Sequence, residues 1–184
     1  DQVEDQAPPD GLSRGILAAF TRPSAQVQEP TANQPLTFGT LRPACEVRNG
    51  ELGSAIYTVA GFKVYDKMPG ATSQRLHYIT GFDDGCPREF LGALVLPGDV
   101  GTHEIVRYSN TRVQLDYSET DKAYESIKAE FCNVAEGQPC GSRLERLGQV
   151  TTFVTAYEEF GAGPVWAEFL LHDGEVAAVD LEGQ

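Results

Sequence analysis

The side chains best suited to catalysis or metal binding are two adjacent carboxylates, Asp83 and Asp84, and two histidines, His77 and His103. Neighbouring carboxylates can ligate a hard cation such as calcium, which takes several oxygen ligands. A histidine oriented by a carboxylate can act as a general base. One hypothesis is therefore a metal-assisted hydrolase that uses Asp83 and Asp84 with His77 or His103.

Each of these residues also has a structural interpretation, which we favour. An Asp-Asp-Gly corner turns a chain without any ligand. Glu104 follows His103 directly, and neighbours on a strand point to opposite faces, so His103 would need Asp99 or the face of His77 as its partner. The EF-hand pattern, the GxSxG elbow, the HExxH motif and phosphate-binding glycine loops do not occur in the sequence. We therefore assign no catalytic residue, metal or cofactor, and we favour a non-enzymatic function.

The cysteines indicate an oxidising compartment. The chain has four of them and no CxxC pair, and their spacing matches no standard zinc pattern. Four cysteines allow three pairings, of which proximity favours Cys132 with Cys140 and Cys45 with Cys86. On the chain-entropy model these bonds would contribute about 2.6 and about 4 kcal/mol. We expect a periplasmic or secreted protein. The start at Asp1 indicates processing or trimming, and whether a signal peptide or a lipid anchor preceded it stays open.

Charge narrows the choice of partners. The 27 acidic and 14 basic side chains leave a net charge of −13, which repels nucleic-acid phosphates and anionic lipid headgroups. Apolar runs are too short to span a membrane. The charge would attract a cationic protein partner, although it can also serve only to maintain solubility. The oligomeric state stays open.

The composition predicts an arm followed by one domain. Residues 1–40 are polar and proline-rich and predict an N-terminal arm and linker, with a short helical segment at 12–20. Residues 41–184 predict a single disulfide-stabilised α+β domain.

Alternation of apolar residues predicts strands through the centre of the chain. One strand is expected over 52–65, with 75–82 as its hairpin partner. Residues 87–96 fit either a helix or a strand, and we favour the strand because 105–108 beyond the next turn is strand-like too. Residues 112–117 could add an edge strand.

Residues 118–131 predict the clearest helix. Ser118 and Asp121 can cap its first turn, and Tyr124 begins a buried stripe that continues to Ile127 and Phe131. The residues expected to point outward are Lys122, Glu125 and Lys128. A polar connection is expected over 141–148.

The last 36 residues predict a three-stranded meander, in which Asp173-Gly174 is a strong two-residue hairpin signal and His172 is an ordinary turn residue. The whole pattern predicts an α+β single domain with a largely antiparallel sheet of about six to eight strands. A small β-barrel with one helix is the alternative, and it would allow a carrier of small apolar ligands.

A binding function follows best from these features. The acidic surface, the arm and the missing catalytic motifs favour an exported binding protein, with a protein partner ahead of a small ligand. Tyrosines on outer strand faces could contribute to a partner surface, although cross-strand packing is their more ordinary role.

Overall fold

The structure is a computed structural model that describes residues 29, 31, 34–109, 116–161 and 163–183. The helical segment expected at 12–20 lies outside these residues, as does most of the edge strand expected at 112–117. The helices are α1 Val100–Tyr108, α2 Glu119–Cys132 and α3 Leu144–Gly148. The strands are β1 Arg42–Pro43, β2 Ser54–Val59, β3 Phe62–Asp66, β4 Arg75–Thr80, β5 Arg88–Gly92, β6 Leu94–Gly98, β7 Thr151–Tyr157, β8 Trp166–His172 and β9 Glu175–Glu182.

The strands divide between two antiparallel sheets, ordered β1-β5-β4-β3-β2 and β6-β7-β8-β9. The apolar core between the sheets includes Phe62 and Phe90 from the first and Phe169 from the second. The α+β class is confirmed. The barrel alternative is wrong, because both of the described sheets are open at their edges.

The single strand expected over 52–65 is two strands. Ala60 and Gly61 adopt positive φ angles of 50° and 85°, so the chain turns between β2 and β3. The apolar alternation continues across this turn and therefore concealed it. The hairpin expected between this region and 75–82 is confirmed, because β3 pairs antiparallel with β4 and places Tyr65 opposite Tyr78.

Residues 87–96 are extended, which confirms the strand over the helix. The segment passes from one sheet to the other at Ala93, whose N–H donates to the carbonyl of Tyr157 at 2.8 Å. The strand expected at 105–108 is wrong, because those residues belong to α1. Asp99 caps that helix by accepting hydrogen bonds from the N–H and hydroxyl of Thr102, at 2.8 and 2.7 Å.

The helix expected at 118–131 is confirmed as α2. Ser118 and Asp121 form a reciprocal capping box with two 3.0 Å hydrogen bonds. Two of the three residues expected to point outward do not, because Glu125 and Lys128 are only 5% and 0% exposed. The polar connection expected over 141–148 is also wrong: it holds the 3-10 helix Gly141–Arg143 and then α3, whose Leu147 is buried.

The meander of β7, β8 and β9 is confirmed. Asp173 and Gly174 adopt φ angles of 45° and 79°, as a tight turn between two twisted strands requires. The three helices pack on the outer side of this four-stranded sheet, against a second apolar cluster that includes Phe153 and Leu170.

Two disulfides join Cys45 to Cys86 and Cys132 to Cys140, the pairs that proximity favoured. The first ties the segment after β1 to the segment before β5, and the second closes the loop after α2. No helix in the described part of the chain is long and apolar enough to cross a membrane.

Candidate functional site

His77 is an interior residue of the five-stranded sheet. Its side chain is fully buried between the sheets and stacks on Phe90, with ring centroids 5.4 Å apart. Its Nδ1–H donates to the carbonyl of Arg75 at 3.1 Å, and its Nε2 lies 3.6 Å from Oδ2 of Asp66. Burial lowers the pKa of His77, and this outweighs the opposite effect of Asp66. His77 is therefore a neutral packing residue out of reach of a substrate.

The charge of Asp66 is balanced within the same cluster. Arg75 donates from Nε and Nη2 to the two oxygens of Asp66 at 2.8 and 2.5 Å, and the N–H of Met68 adds a third bond at 2.8 Å. Burial alone would raise the pKa of Asp66, but these hydrogen bonds lower it overall. The carboxylate is thus held ionised beneath the turn after β3.

Asp83 and Asp84 stabilise the turn between β4 and β5. The two terminal nitrogens of the Arg88 guanidinium group each lie 2.9 Å from one carboxylate oxygen of Asp84. These contacts lower the pKa of Asp84. It also accepts the N–H of Cys86 at 2.9 Å. The N–H of Asp83 donates to the carbonyl of Gly174 at 3.0 Å, which connects this turn to the β8–β9 hairpin.

His103 lies on α1 and is largely buried. Its ring stacks on Phe153 at 4.4 Å and meets Tyr124 edge-on at 4.6 Å. Burial, reinforced by the positive charge of Arg107, lowers the pKa of His103 to about 4. Asp121 lies 3.5 Å from Nε2, but its charge is already compensated by an ion pair with Arg107. His103 is therefore neutral at pH 7. The partner expected from the sequence was Asp99 or the face of His77, but the acid next to His103 is Asp121.

The four candidate residues do not converge on one site. The four-stranded sheet separates His77, which lies between the sheets, from His103, which lies on the helical side. Asp83 and Asp84 are on an exposed turn. Among the described residues, no group of three or more His, Cys, Asp or Glu side chains could hold a metal ion.

Two buried glutamates hold the loop closed by the Cys132–Cys140 disulfide. Glu104 on α1 accepts the N–H of Cys140 at 3.0 Å and the hydroxyl of Tyr124 at 2.8 Å. Because both donors are buried, this carboxylate satisfies backbone and side-chain groups that would otherwise be unpaired. Sequence reasoning missed this contact, since Glu104 was expected on a strand.

Glu125 on α2 holds the same loop at a second point. It accepts the N–H of Gly137 at 2.8 Å and the ammonium group of Lys128 at 2.6 Å. The hydroxyl of Tyr108 also hydrogen-bonds to Glu125. Burial would raise the pKa of Glu125, but these bonds lower it overall. These contacts stabilise the fold.

The helical side of the four-stranded sheet has a covered half and an open half. Strand register places Gly98, Phe153, Leu170 and Ala178 in one row, which the helices cover. The next two rows are only partly covered, by the start of α2, and form what we call the open sheet face. Its residues are Leu94, Leu96, Thr155, Tyr157, Trp166, Glu168, Asp180 and Glu182.

Apolar and aromatic side chains form one part of the open sheet face. Leu96 is 40% exposed, and the other residues of the face are partly exposed. The rings of Tyr157 and Trp166 lie side by side on neighbouring strands, with centroids 6.4 Å apart. A partly exposed Trp beside a Tyr offers a broad apolar surface with a polar edge.

Acidic side chains form the other part of the open sheet face. Glu168 on β8 lies directly opposite Asp180 on β9, and Glu182 is two residues further along β9. Burial raises the pKa of Glu168, and repulsion from Asp180 and Glu182 adds to this effect. Burial followed by the charge of Asp180 likewise raises the pKa of Glu182. The carboxylates are therefore close enough to oppose one another's ionisation.

The partners of these acids are mostly neutral donors at the start of α2. Thr120 donates its hydroxyl to Glu168 at 2.7 Å, and the N–H of Glu119 donates to Asp180 at 2.9 Å. Two cations border the face. Arg107 is ion-paired with Asp121 and also acts to lower the pKa of Glu168, although burial and the acidic neighbours raise that pKa overall; Lys122 is ion-paired with Glu119. An excess of negative charge remains beside the aromatic rings. Such an arrangement can hold a cationic side chain by ion pairing and cation–π attraction.

Sequence reasoning did not identify this face. Ala167, Phe169 and Leu171 of β8 lie in the core between the sheets, and period-two alternation in the sequence directs the intervening Trp166 and Glu168 to the opposite face. That alternation was the signal that could have found the face. Of the tyrosines, Tyr157 lies on this face, whereas Tyr78 and Tyr124 are buried packing residues.

Searches of family models, curated proteins and solved structures found nothing that matches this chain.

Proposed function

We propose that this chain is an exported, non-enzymatic binding protein whose partner is a cationic protein. Export is supported by the use of all four cysteines in two disulfides, because such bonds persist in oxidising compartments. The periplasm and the extracellular space both meet this condition.

The distribution of charge is the observation that carries the proposal. Exposed acidic side chains clearly outnumber exposed basic ones in the described residues. The basic side chains that are buried or partly buried are each engaged by a carboxylate within the chain, namely Arg42, Arg75, Arg88, Arg107 and Lys128. The negative charge at the surface therefore faces solvent with little internal compensation, and it would steer a cationic partner.

The interior chemistry also favours binding over catalysis. His77, His103, Asp83 and Asp84 each have a structural contact that accounts for them, and they lie in three separate places. A carrier of small apolar ligands is not supported, because that alternative required a closed barrel and the described strands form two open sheets.

Salt dependence tests the proposal. The full chain, immobilised through a tag, would be incubated at low salt with the extracellular or periplasmic fraction of its native host. We expect it to retain a basic protein that elutes as salt rises. With that protein purified, the dissociation constant should increase steadily between about 50 mM and about 500 mM salt, since screening shortens the Debye length to a few ångströms. A dissociation constant that did not change with salt would contradict an electrostatic partner.

A charge-reversed bait supplies the control. Replacing Glu46, Glu145 and Glu175 with Lys changes three exposed residues without touching a buried ion pair. This variant should fold normally and bind the same partner more weakly at low salt. Equal binding by both baits would also contradict the proposal.

A further inference from the structure

We propose that the open sheet face binds an arginine side chain presented by the partner, an inference that rests on the proposed function and assigns it a location. The guanidinium group would lie against Trp166 and Tyr157 and would pair with Glu168 and Glu182. The occupant is thus an arginine-bearing segment of another protein.

The aromatic rings favour arginine. A guanidinium group is planar and weakly hydrated, so it stacks on an aromatic surface more readily than an ammonium group does. Trp166 lies in the outer row of the face, opposite Glu182 on β9 and beside Tyr157 on β7. Trp, Tyr and Arg are also the residues that dominate the binding energy of protein interfaces.

Glu168 and Glu182 complement the positive charge of a guanidinium group. Among the described residues, Thr120 contacts Oε2 of Glu168, and the charged group that acts on Glu182 is another acid, Asp180. Ionisation of these crowded carboxylates is opposed by their mutual repulsion, and a bound cation would relieve that repulsion. Their positions opposite and diagonal to one another across β8 and β9 suit a bidentate cation.

The chain contains one Trp, so its fluorescence reports on this face alone. The probes are three blocked hexapeptides that differ at two positions, which hold arginine, lysine or citrulline. Citrulline has nearly the shape of arginine but no charge. We expect a saturable change in Trp166 fluorescence with the arginine peptide, binding at least about threefold weaker with lysine, and no saturation with citrulline.

Matched variants test the acids. Glu168→Gln with Glu182→Gln removes two charges from the face and leaves Asp180, which contacts α2, in place. Glu145→Gln with Glu175→Gln removes two exposed charges elsewhere. The first pair should weaken the arginine peptide at least about tenfold, as expected for loss of charges at the centre of a site, whereas the second should weaken it less than about twofold.

The outcomes separate this inference from the proposed function. Equal weakening by both variant pairs would overturn the site, while salt-dependent capture of a basic protein would leave the proposed function standing. Binding of all three peptides alike would overturn the choice of arginine. Arginine-peptide binding that appears only after residues 1–28 are deleted would make this chain's own arm the occupant and would also overturn the inference. Retention of arginine selectivity without any salt-dependent protein partner would contradict the proposed function instead.

Discussion

Glu125 lies on α2 and Glu168 lies on β8 beside the start of that helix, and both acids are largely shielded, yet their surroundings differ. Glu125 has a fully buried ammonium group, Lys128, at 2.6 Å, and its pKa is lowered. Glu168 faces Asp180 and Glu182, and its pKa is raised. Lys128 thus compensates the first carboxylate, whereas the second is left largely uncompensated, because burial and its acidic neighbours outweigh the attraction of Arg107. We infer that compensated acids stabilise this fold, whereas the uncompensated ones are available to a partner.

The same distinction applies to the histidines. His77 lies beside an Asp–Arg pair between the sheets, and His103 lies beside another between α1 and α2. In each case burial lowers the pKa of the histidine and keeps it neutral, and an arginine already neutralises the carboxylate beside it. A His beside an Asp is therefore no evidence of catalysis in this molecule.

The largest predicted effect on stability comes from removing the cation that compensates Glu125. Lys128→Met should reduce the free energy of unfolding by about 3–5 kcal/mol, because it leaves Glu125 buried without its cation. Lys122→Met is the matched control on the same helix, since Lys122 makes the same i,i+3 contact with Glu119 but both side chains are exposed. Urea denaturation should find the control unchanged. Equal losses in both variants would contradict the role given to burial.

A second prediction concerns the stability of the fold at acidic pH. The pKa of His103 is about 4 in the folded protein against 6.5 in the unfolded chain. Between these values the unfolded chain binds a proton that the folded protein does not, so stability falls as the pH decreases from 6.5 to 4. The expected loss is about 3 kcal/mol from this residue. His77 and His172, whose pKa values are also lowered, add to it in the same direction.

His103→Phe isolates that contribution. Phenylalanine keeps a ring against Phe153 and Tyr124 but takes up no proton. Denaturation at several pH values should therefore find a smaller loss of stability between pH 6.5 and 4 in the variant. An unchanged pH dependence would mean that His103 is not the group that titrates.

The smallest predicted effect on stability is a stabilisation, obtained by removing the charge of Glu168. The folded protein binds a proton on Glu168 more readily than the unfolded chain does, so its ionised form opposes folding at pH 7. Glu168→Gln should increase the free energy of unfolding, by less than about 1 kcal/mol. The gain should shrink as the pH falls and Glu168 in the original protein becomes protonated. Glu125→Gln is the contrast, because it should be destabilising at pH 7.

Local signals predicted α2 and the β8–β9 hairpin well. Ser118 and Asp121 form a capping box whose hydrogen bonds lie within four residues, and Asp173-Gly174 requires only the two residues of the turn. In contrast, α1 was missed because its buried Glu104 and its exposed Ile105 and Val106 reverse the usual amphipathic pattern. Glu104 is buried because Tyr124 and Cys140, distant in sequence, satisfy it.

The candidate site was less predictable, and a β-bulge accounts for this. His172 pairs with Glu175 and Leu171 with Val176, but beyond the register shift Leu170 pairs with Ala178. The shift places one extra residue, Ala177, in β9. Without it, period-two alternation would direct Asp180 and Glu182 toward the core, and Glu168 would face Val179.

Four features could be predicted without coordinates: the fold class, the pairs of cysteines that proximity favours, the capped helix α2 and the acidic character of the surface. These depend on composition or on contacts between residues close along the chain. Which acids are neutralised and which are not could be seen only in the folded chain. That outcome depends on strand register and helix docking, which bring together charges far apart in sequence.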